Sequence, residues 1–133
     1  MIVVDTNVVA YLLLESERTA QAERALALDP EWTAPLLWRS ELRNVLATQV
    51  RGGHLAAGEA RRLQAEAERL LAGGEYAVAS ADVLELAAAS GCSAYDCELV
   101  ALARDLGVPL VTVDRDLLAA FPDRTVPLER FAR

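Results

Sequence analysis

The clearest strand in the sequence is Pro109-Leu110-Val111-Thr112-Val113, and the acid Asp114 follows it directly. A short apolar run rich in β-branched residues is typical of a strand that is buried on both faces of a parallel sheet. The chain opens in the same way, because Ile2-Val3-Val4 is followed by Asp5. Two apolar strands that each end at an aspartate therefore stand near the two ends of the chain.

Helical patterns alternate with strand patterns between and beyond these two strands. We expect further strands at residues 33–34, 76–79 and near Val126, and helices at residues 7–14, 18–28, 35–51, 55–71, 81–89, 93–106 and up to Phe121. Strands that alternate with helices form βαβ units with right-handed crossovers. The sequence therefore predicts a single domain over residues 1–133, with a three-layer α/β/α architecture around a mostly parallel sheet.

The composition excludes several classes of protein. With 133 residues, 53% of them hydrophobic, the chain has ample material for a core, which excludes intrinsic disorder. Its longest apolar run, residues 8–14, is far short of the roughly 20 residues that a bilayer span requires. The first residues carry no basic segment, so we expect no secretory signal and a cytoplasmic protein with reduced cysteines.

The charge argues against non-specific nucleic-acid binding, which depends on neutralising phosphates. The net charge is −7, and all thirteen cations are arginines. Two cysteines and a single histidine do not make a zinc site, and neither of the common glycine-rich nucleotide-binding motifs occurs. A nuclease function would therefore need a local feature that offsets the acidic surface.

Asp5 and Asp114 each follow a strand that we expect in the sheet. The carboxyl ends of parallel strands lie at one edge of a sheet, where ligands bind in open α/β folds. The alternative is that each aspartate caps the helix that follows it, with Thr6 sharing that role in the first case.

Glu41 lies within the apolar face of its predicted helix, since it is four residues from both Leu37 and Val45. A glutamate is rarely buried unless it is paired or bound to something, which favours a buried site. The alternative is that Glu41 bends out to the rim or pairs with a distant arginine.

Asp96 allows two interpretations. Ser93-Ala94-Tyr95-Asp96 has the form of a capping box, which satisfies backbone donors at a helix start. Asp96 also stands in the first turn below Leu99 and Val100, on the inner face of the same helix. Capping and ligand binding use the same location, so both interpretations stay open.

Four carboxylates that converge on one edge would repel one another and raise their pKa values unless a cation were bound. With no cysteine or histidine pair nearby, an all-oxygen site favours a hard cation such as Mg²⁺ or Mn²⁺. Such sites perform phosphoryl chemistry. A bound cation would also make an acidic pocket attractive to phosphate.

Four segments of the sequence resemble the acidic blocks of PIN domains, and the chain as a whole resembles the VapC-type toxins of bacterial toxin–antitoxin pairs. These segments are Val4-Asp5-Thr6-Asn7, Ser40-Glu41-Leu42-Arg43-Asn44-Val45-Leu46, Tyr95-Asp96-Cys97-Glu98-Leu99-Val100-Ala101-Leu102-Ala103 and Thr112-Val113-Asp114-Arg115-Asp116-Leu117. No single block is specific, but four in this order at these separations are quite specific together. The resemblance implies a five-stranded parallel sheet and a Mg²⁺-dependent endoribonuclease.

The resemblance also implies roles for individual residues. Asp5, Glu41, Asp96 and Asp114 match the catalytic, metal-coordinating acids, with Asp5 and Asp96 as the expected direct ligands. Thr6 and Thr112 match flanking hydroxyl positions that would orient acids by hydrogen bonds. Asp116 is either a fifth acid or a surface residue at a helix start. Family members commonly dimerise and are held inactive by a small cognate antitoxin, so both are implied here.

Four arginines are candidates for contacts with RNA phosphates, because three share the helix of Glu41 and one neighbours Asp114. They are Arg39, Arg43, Arg51 and Arg115. The alternative is that they are solvated charges or are paired within the chain. The main rival function is a protein-interaction module on the same fold that has no catalytic activity, which fold alone does not exclude.

Overall fold

The computed structural model describes residues 1–133, and five parallel strands form its centre. The strands are β1 (Ile2–Val4), β2 (Trp32–Pro35), β3 (Glu75–Tyr76), β4 (Leu110–Thr112) and β5 (Thr125–Pro127). The helices are α1 (Thr6–Leu13), α2 (Thr19–Leu28), α3 (Trp38–Arg51), α4 (Ala57–Leu70), α5 (Ser80–Ser90), α6 (Ala94–Leu106), α7 (Arg115–Ala120) and α8 (Leu128–Phe131). The strand order is β3-β2-β1-β4-β5, and the five-stranded parallel sheet confirms the predicted fold class.

The sheet separates two apolar clusters, because successive side chains of a strand point to opposite faces. On β1, Ile2 and Val4 belong to one cluster while Val3 belongs to the other. The first cluster includes residues of α1 to α4, and the second includes residues of α5, α6 and α7. Each face of the sheet is therefore covered by helices, which confirms the three layers.

Three helices, α3, α5 and α6, end directly before a glycine, as the sequence predicted. Gly91 and Gly107 follow α5 and α6 with φ angles of 76° and 67°, the left-handed conformation that glycine adopts without steric cost.

The longest helices have 14 residues, and no helix combines the length and apolar character that a membrane span needs.

Three details differ from the sequence-based expectation. Pro35, expected to open the helix of Glu41, is the last residue of β2, and α3 begins only at Trp38. β3 covers only Glu75–Tyr76, whereas the pattern predicted a strand over residues 76–79. It is an edge strand that pairs only with Ala34 and Pro35 of β2, so few residues determine where it ends. The chain also finishes in the short helix α8, which the sequence did not indicate.

The order of the strands places β1 between β2 and β4, where the direction of chain connection reverses. Val4 pairs with Val111, and the Asp5 N–H donates to the Val111 carbonyl at 3.1 Å. Asp5 and the end of β4 therefore lie side by side. This reversal is the position at which open α/β sheets bind ligands.

Candidate active site at the carboxyl edge of the sheet

The four acids of the PIN-like segments meet at the carboxyl edge of the sheet. Asp5 follows β1 and Asp114 lies just beyond β4, while Glu41 and Asp96 stand in the first turns of α3 and α6. The pKa values of Asp5, Glu41 and Asp96 are each raised in part by the negative charge of at least one other acid of this set. The topology thus gathers acids that are far apart in sequence.

Asp5 is the most buried of these acids, with 8% of its surface exposed. It occupies the cap position of α1 but makes no side-chain capping bond. Instead the fully buried Thr112 hydroxyl donates to Oδ2 at 2.7 Å. Burial raises the pKa of Asp5, the Thr112 hydrogen bond opposes this shift, and the nearby Asp114 carboxylate adds to it.

Glu41 is half-buried, and the Thr6 hydroxyl donates to its Oε1 at 2.9 Å. Burial is the largest effect on its pKa and raises it, while the Thr6 hydrogen bond lowers it. The carboxylates of Asp5 and Asp96 raise this pKa further. The Thr6 hydroxyl therefore contacts an acid of the site and does not cap α1.

Asp96 is half-buried, and Ser93 caps α6 by accepting from the Asp96 N–H at 3.1 Å. The bond that would complete a capping box, from the Ser93 N–H to the Asp96 carboxylate, is absent. Burial raises the pKa of Asp96, and the carboxylates of Asp114 and Asp5 raise it further. The Ser93 hydroxyl opposes this shift, and the Asp96 carboxylate lies near the other acids and is not needed as the cap.

Asp114 has two roles in the structure. Its Oδ1 accepts from the Leu117 N–H at 2.9 Å, which caps α7, and its own N–H donates to the Thr112 hydroxyl at 3.0 Å. The Thr112 hydroxyl therefore bridges Asp114 and Asp5. Capping does take place here, as one of the two interpretations predicted, and it uses only one oxygen of the carboxylate.

The donor set suits a hard divalent cation, because it consists of carboxylate oxygens that repel one another. One oxygen each of Glu41 and Asp114 accepts a hydrogen bond, which leaves a second oxygen in each group for another ligand. The Asp5 carboxylate accepts from the Thr112 hydroxyl, and the backbone N–H groups of Asn7 and Thr6 also act to lower its pKa. No three of these side chains stand close enough to share one ion as they are placed. The carboxylates would have to turn toward one another when a cation binds.

Two further acids border the cluster. Asp116 is exposed in the first turn of α7 and lines a cleft of about 630 Å³ together with Asp96, whose pKa it helps to raise. Glu98, which the sequence analysis did not single out, is near enough to Glu41 to raise its pKa. The sequence did contain an indication that Glu98 is important, because Glu98 stands among the apolar residues from Cys97 to Ala103, which are buried in α6.

The four candidate arginines do not form one surface. Arg39 is paired within the chain: its guanidinium donates twice to Glu75, at 2.6 and 2.8 Å, and once to Glu68 at 2.9 Å. For Arg39 those ion pairs favour the alternative that it is paired within the chain over a contact with RNA phosphate. Arg43 lines the groove between α3 and α4, and Arg51 is exposed at the end of α3.

Arg115 is the candidate arginine nearest to the acids. It is exposed, directly follows Asp114, and lines a small cleft of about 270 Å³ that Arg18 and Thr112 also border. A second arginine therefore stands beside the same edge of the sheet, which the sequence analysis did not identify.

Three comparisons with known proteins agree with this geometry. A family model described as the PIN domain matches residues 2–122. Ribonuclease VapC3 of Pyrobaculum aerophilum is 35% identical over 129 residues, which span 95% of this chain and 98% of that relative. The crystal structure of PAE2754, from the same organism, has a TM-score of 0.78 and 22% identity, covering 98% of this chain and 85% of that chain. The structural likeness shows a shared fold.

Proposed function

The chain belongs to the PIN domain family, and from this premise we propose that it is a Mg²⁺-dependent endoribonuclease, the toxin of a toxin–antitoxin pair. The observation that carries the proposal is the set of four acids at one edge of the sheet, two of which are held by buried or half-buried hydroxyl contacts. A relative that is 35% identical over nearly its whole length is named a ribonuclease. The substrate class follows from that relationship.

Asp5, Glu41, Asp96 and Asp114 would hold the cation, Mg²⁺ or alternatively Mn²⁺. When bound, such a cation supplies a water of lowered pKa and stabilises negative charge on phosphate oxygens. The chain's own contribution is to present several carboxylates in one place. Their repulsion makes the metal-free site unfavourable, so part of that cost is relieved when a cation binds.

The threonines position the two acids that they contact. Thr112 fixes Oδ2 of Asp5 and Thr6 fixes Oε1 of Glu41, so the remaining oxygen of each carboxylate points in a defined direction. Partners of this kind orient ligating groups and tune their basicity.

Arg115 is placed to contact a phosphate of the bound RNA, since it is exposed and directly follows Asp114. A cytoplasmic location, a homodimer and a small cognate antitoxin that blocks the site complete the proposal. Membership of the family and the similarity to a VapC ribonuclease support these three proposals.

The test is cleavage of RNA by the purified chain with Mg²⁺, with Mn²⁺ and with excess chelator. We expect cleavage with a divalent cation and none with chelator. Asp96→Asn should fold, since Ser93 and not the Asp96 carboxylate caps α6, and should lose cleavage by orders of magnitude. A parent that leaves RNA intact under all three conditions, yet binds a small protein partner, would favour the non-catalytic interaction module.

A further inference from the structure

Tyr95 is the one exposed aromatic side chain at the acidic edge. Five large hydrophobic residues of the chain are exposed, and Tyr95 is the only aromatic among them, at 65%. It stands in the first turn of α6, next to Asp96 in the sequence. Both tryptophans are buried, and the other two tyrosines, Tyr11 and Tyr76, pack against the apolar clusters.

The direction of the Tyr95 side chain follows from helix geometry. Successive residues of a helix are about 100° apart, so Tyr95 lies about 100° from Asp96 on one side and about 60° from Glu98 on the other. Both of these acids are close enough to Glu41 to raise its pKa. The ring of Tyr95 therefore leaves α6 between Asp96, which belongs to the cluster, and Glu98, which borders it.

No contact within the chain accounts for an aromatic side chain at this exposed position. The Tyr95 hydroxyl has no hydrogen-bond partner within the chain, and its ring belongs to neither apolar cluster. Capping of α6 is done by Ser93. Folding therefore does not require an aromatic ring at this position, which points to a contact outside the chain.

Binding of RNA here requires an attraction that does not depend on charge. The chain carries a net charge of −7, the site consists of acids, and Arg39 is already paired with Glu68 and Glu75. Stacking of a base on an aromatic ring works for every base and is independent of phosphate neutralisation. Unpaired RNA bases are commonly recognised in this way, because they can be splayed out onto a side chain.

We propose that the Tyr95 ring stacks on an unpaired base of the RNA and so places the adjoining phosphodiester beside the carboxylates. The inference rests on the proposed nuclease function and assigns Tyr95 a substrate-binding role in it. A base within a duplex is already stacked on its neighbours and does not reach the ring.

The first experiment measures cleavage kinetics in Mg²⁺ on a single-stranded oligoribonucleotide and on a duplex of the same length. Tyr95→Ala should raise KM for the single strand about 5- to 150-fold, with kcat much less affected. Tyr95→Phe should stay within about twofold of the parent, because the ring is kept. Leu28→Ala is the control, since Leu28 is exposed at the end of α2, near the opposite edge of the sheet.

Salt dependence separates stacking from a charge effect. The slope of log KM against log salt should be the same for Tyr95→Ala and the parent, because stacking releases no counterions. A Tyr95→Ala enzyme with the KM of the parent, or an equal rise in KM for the Leu28→Ala control, would overturn the proposal. So would an altered oligomeric state with unchanged RNA kinetics, since that result identifies Tyr95 as a protein contact.

A second experiment does not depend on cleavage. An oligoribonucleotide that carries the fluorescent base 2-aminopurine is titrated with protein in excess chelator. Stacking should quench its fluorescence with the parent and with Tyr95→Phe, but not with Tyr95→Ala. Quenching without any Mg²⁺-dependent cleavage would reject the proposed function and keep the stacking inference. Cleavage without quenching, together with an unchanged KM for Tyr95→Ala, would keep the proposed function and reject the stacking inference.

Discussion

Thr112→Val tests whether a single buried hydroxyl organises the site. The substitution keeps the shape of the side chain but removes the donor to Asp5 Oδ2 and the acceptor of the Asp114 N–H. A hydrogen bond to a charged group contributes about 1.5–3 kcal/mol, and a neutral one about 1 kcal/mol. Loss of both should therefore lower the free energy of unfolding by about 3 kcal/mol, measured by urea denaturation at neutral pH.

Thr33→Val is the matched control. Thr33 is 1% exposed and Thr112 is fully buried, and Thr33 donates a single hydrogen bond of 2.8 Å to the neutral Ile2 carbonyl. We expect this control to lose about 1 kcal/mol of stability and to keep its nuclease activity. Both threonines lie in the strands that flank the central strand β1, so general damage to the core should affect the two variants alike.

Activity is the decisive measurement for this pair. Partners that orient ligating groups typically change metal affinity or rate by about 10- to 100-fold when removed, and we expect Thr112→Val to fall in that range. The assay is RNA cleavage as a function of Mg²⁺ concentration, at a temperature at which both variants are folded. Equal activity in Thr112→Val and Thr33→Val would refute the argument that Thr112 positions Asp5.

Three further predictions concern single charges. Asp96→Asn should raise the Tm of the metal-free protein at pH 7, because a carboxyl group with a raised pKa destabilises the folded state when it is ionised. Calorimetry measures this gain in Tm. The gain should vanish near pH 4 and below, where the acid is protonated in both the folded and the unfolded state. Glu75 behaves in the opposite way: the Arg39 hydrogen bond lowers its pKa, so the stability that Glu75→Gln loses should be largest at pH 7 and should shrink as acid titration passes below about pH 4. Arg115→Ala should weaken RNA binding and reduce the salt slope by about 0.7, the value for one phosphate contact on a single strand; an unchanged slope would exclude Arg115 from the phosphate contacts.

The features that could be predicted from the sequence are those encoded by local patterns. The runs Ile2–Val4 and Leu110–Thr112 could be predicted as buried strands because they are apolar. Their alternation with helical segments predicts a parallel sheet, which brings Asp5 and Asp114 to the carboxyl edge of that sheet. Glu41 was detectable because a helical period places it among apolar neighbours.

Contacts between distant segments were not detectable in this way. The pairing of Arg39 with Glu75 and Glu68 joins α3 to β3 and α4 across 36 and 29 positions, and no local pattern specifies it. The extent of β3 depends in the same way on the two residues of β2 that it meets. Burial and tertiary pairing decide such details, and both depend on the whole fold.

The hydrogen bond between Thr112 and Asp5 joins residues that are 107 positions apart. The parts of the site are therefore synthesised at different times. While the chain is being synthesised, Asp5 and Glu41 leave the ribosome long before β4 exists. Until then Asp5 has neither its hydroxyl donor nor the neighbouring strand that fixes its backbone. A nascent or C-terminally truncated chain therefore lacks an assembled site. Any activity that needs Asp5 in its hydrogen-bonded position can therefore begin only after β4 has been synthesised and paired with β1.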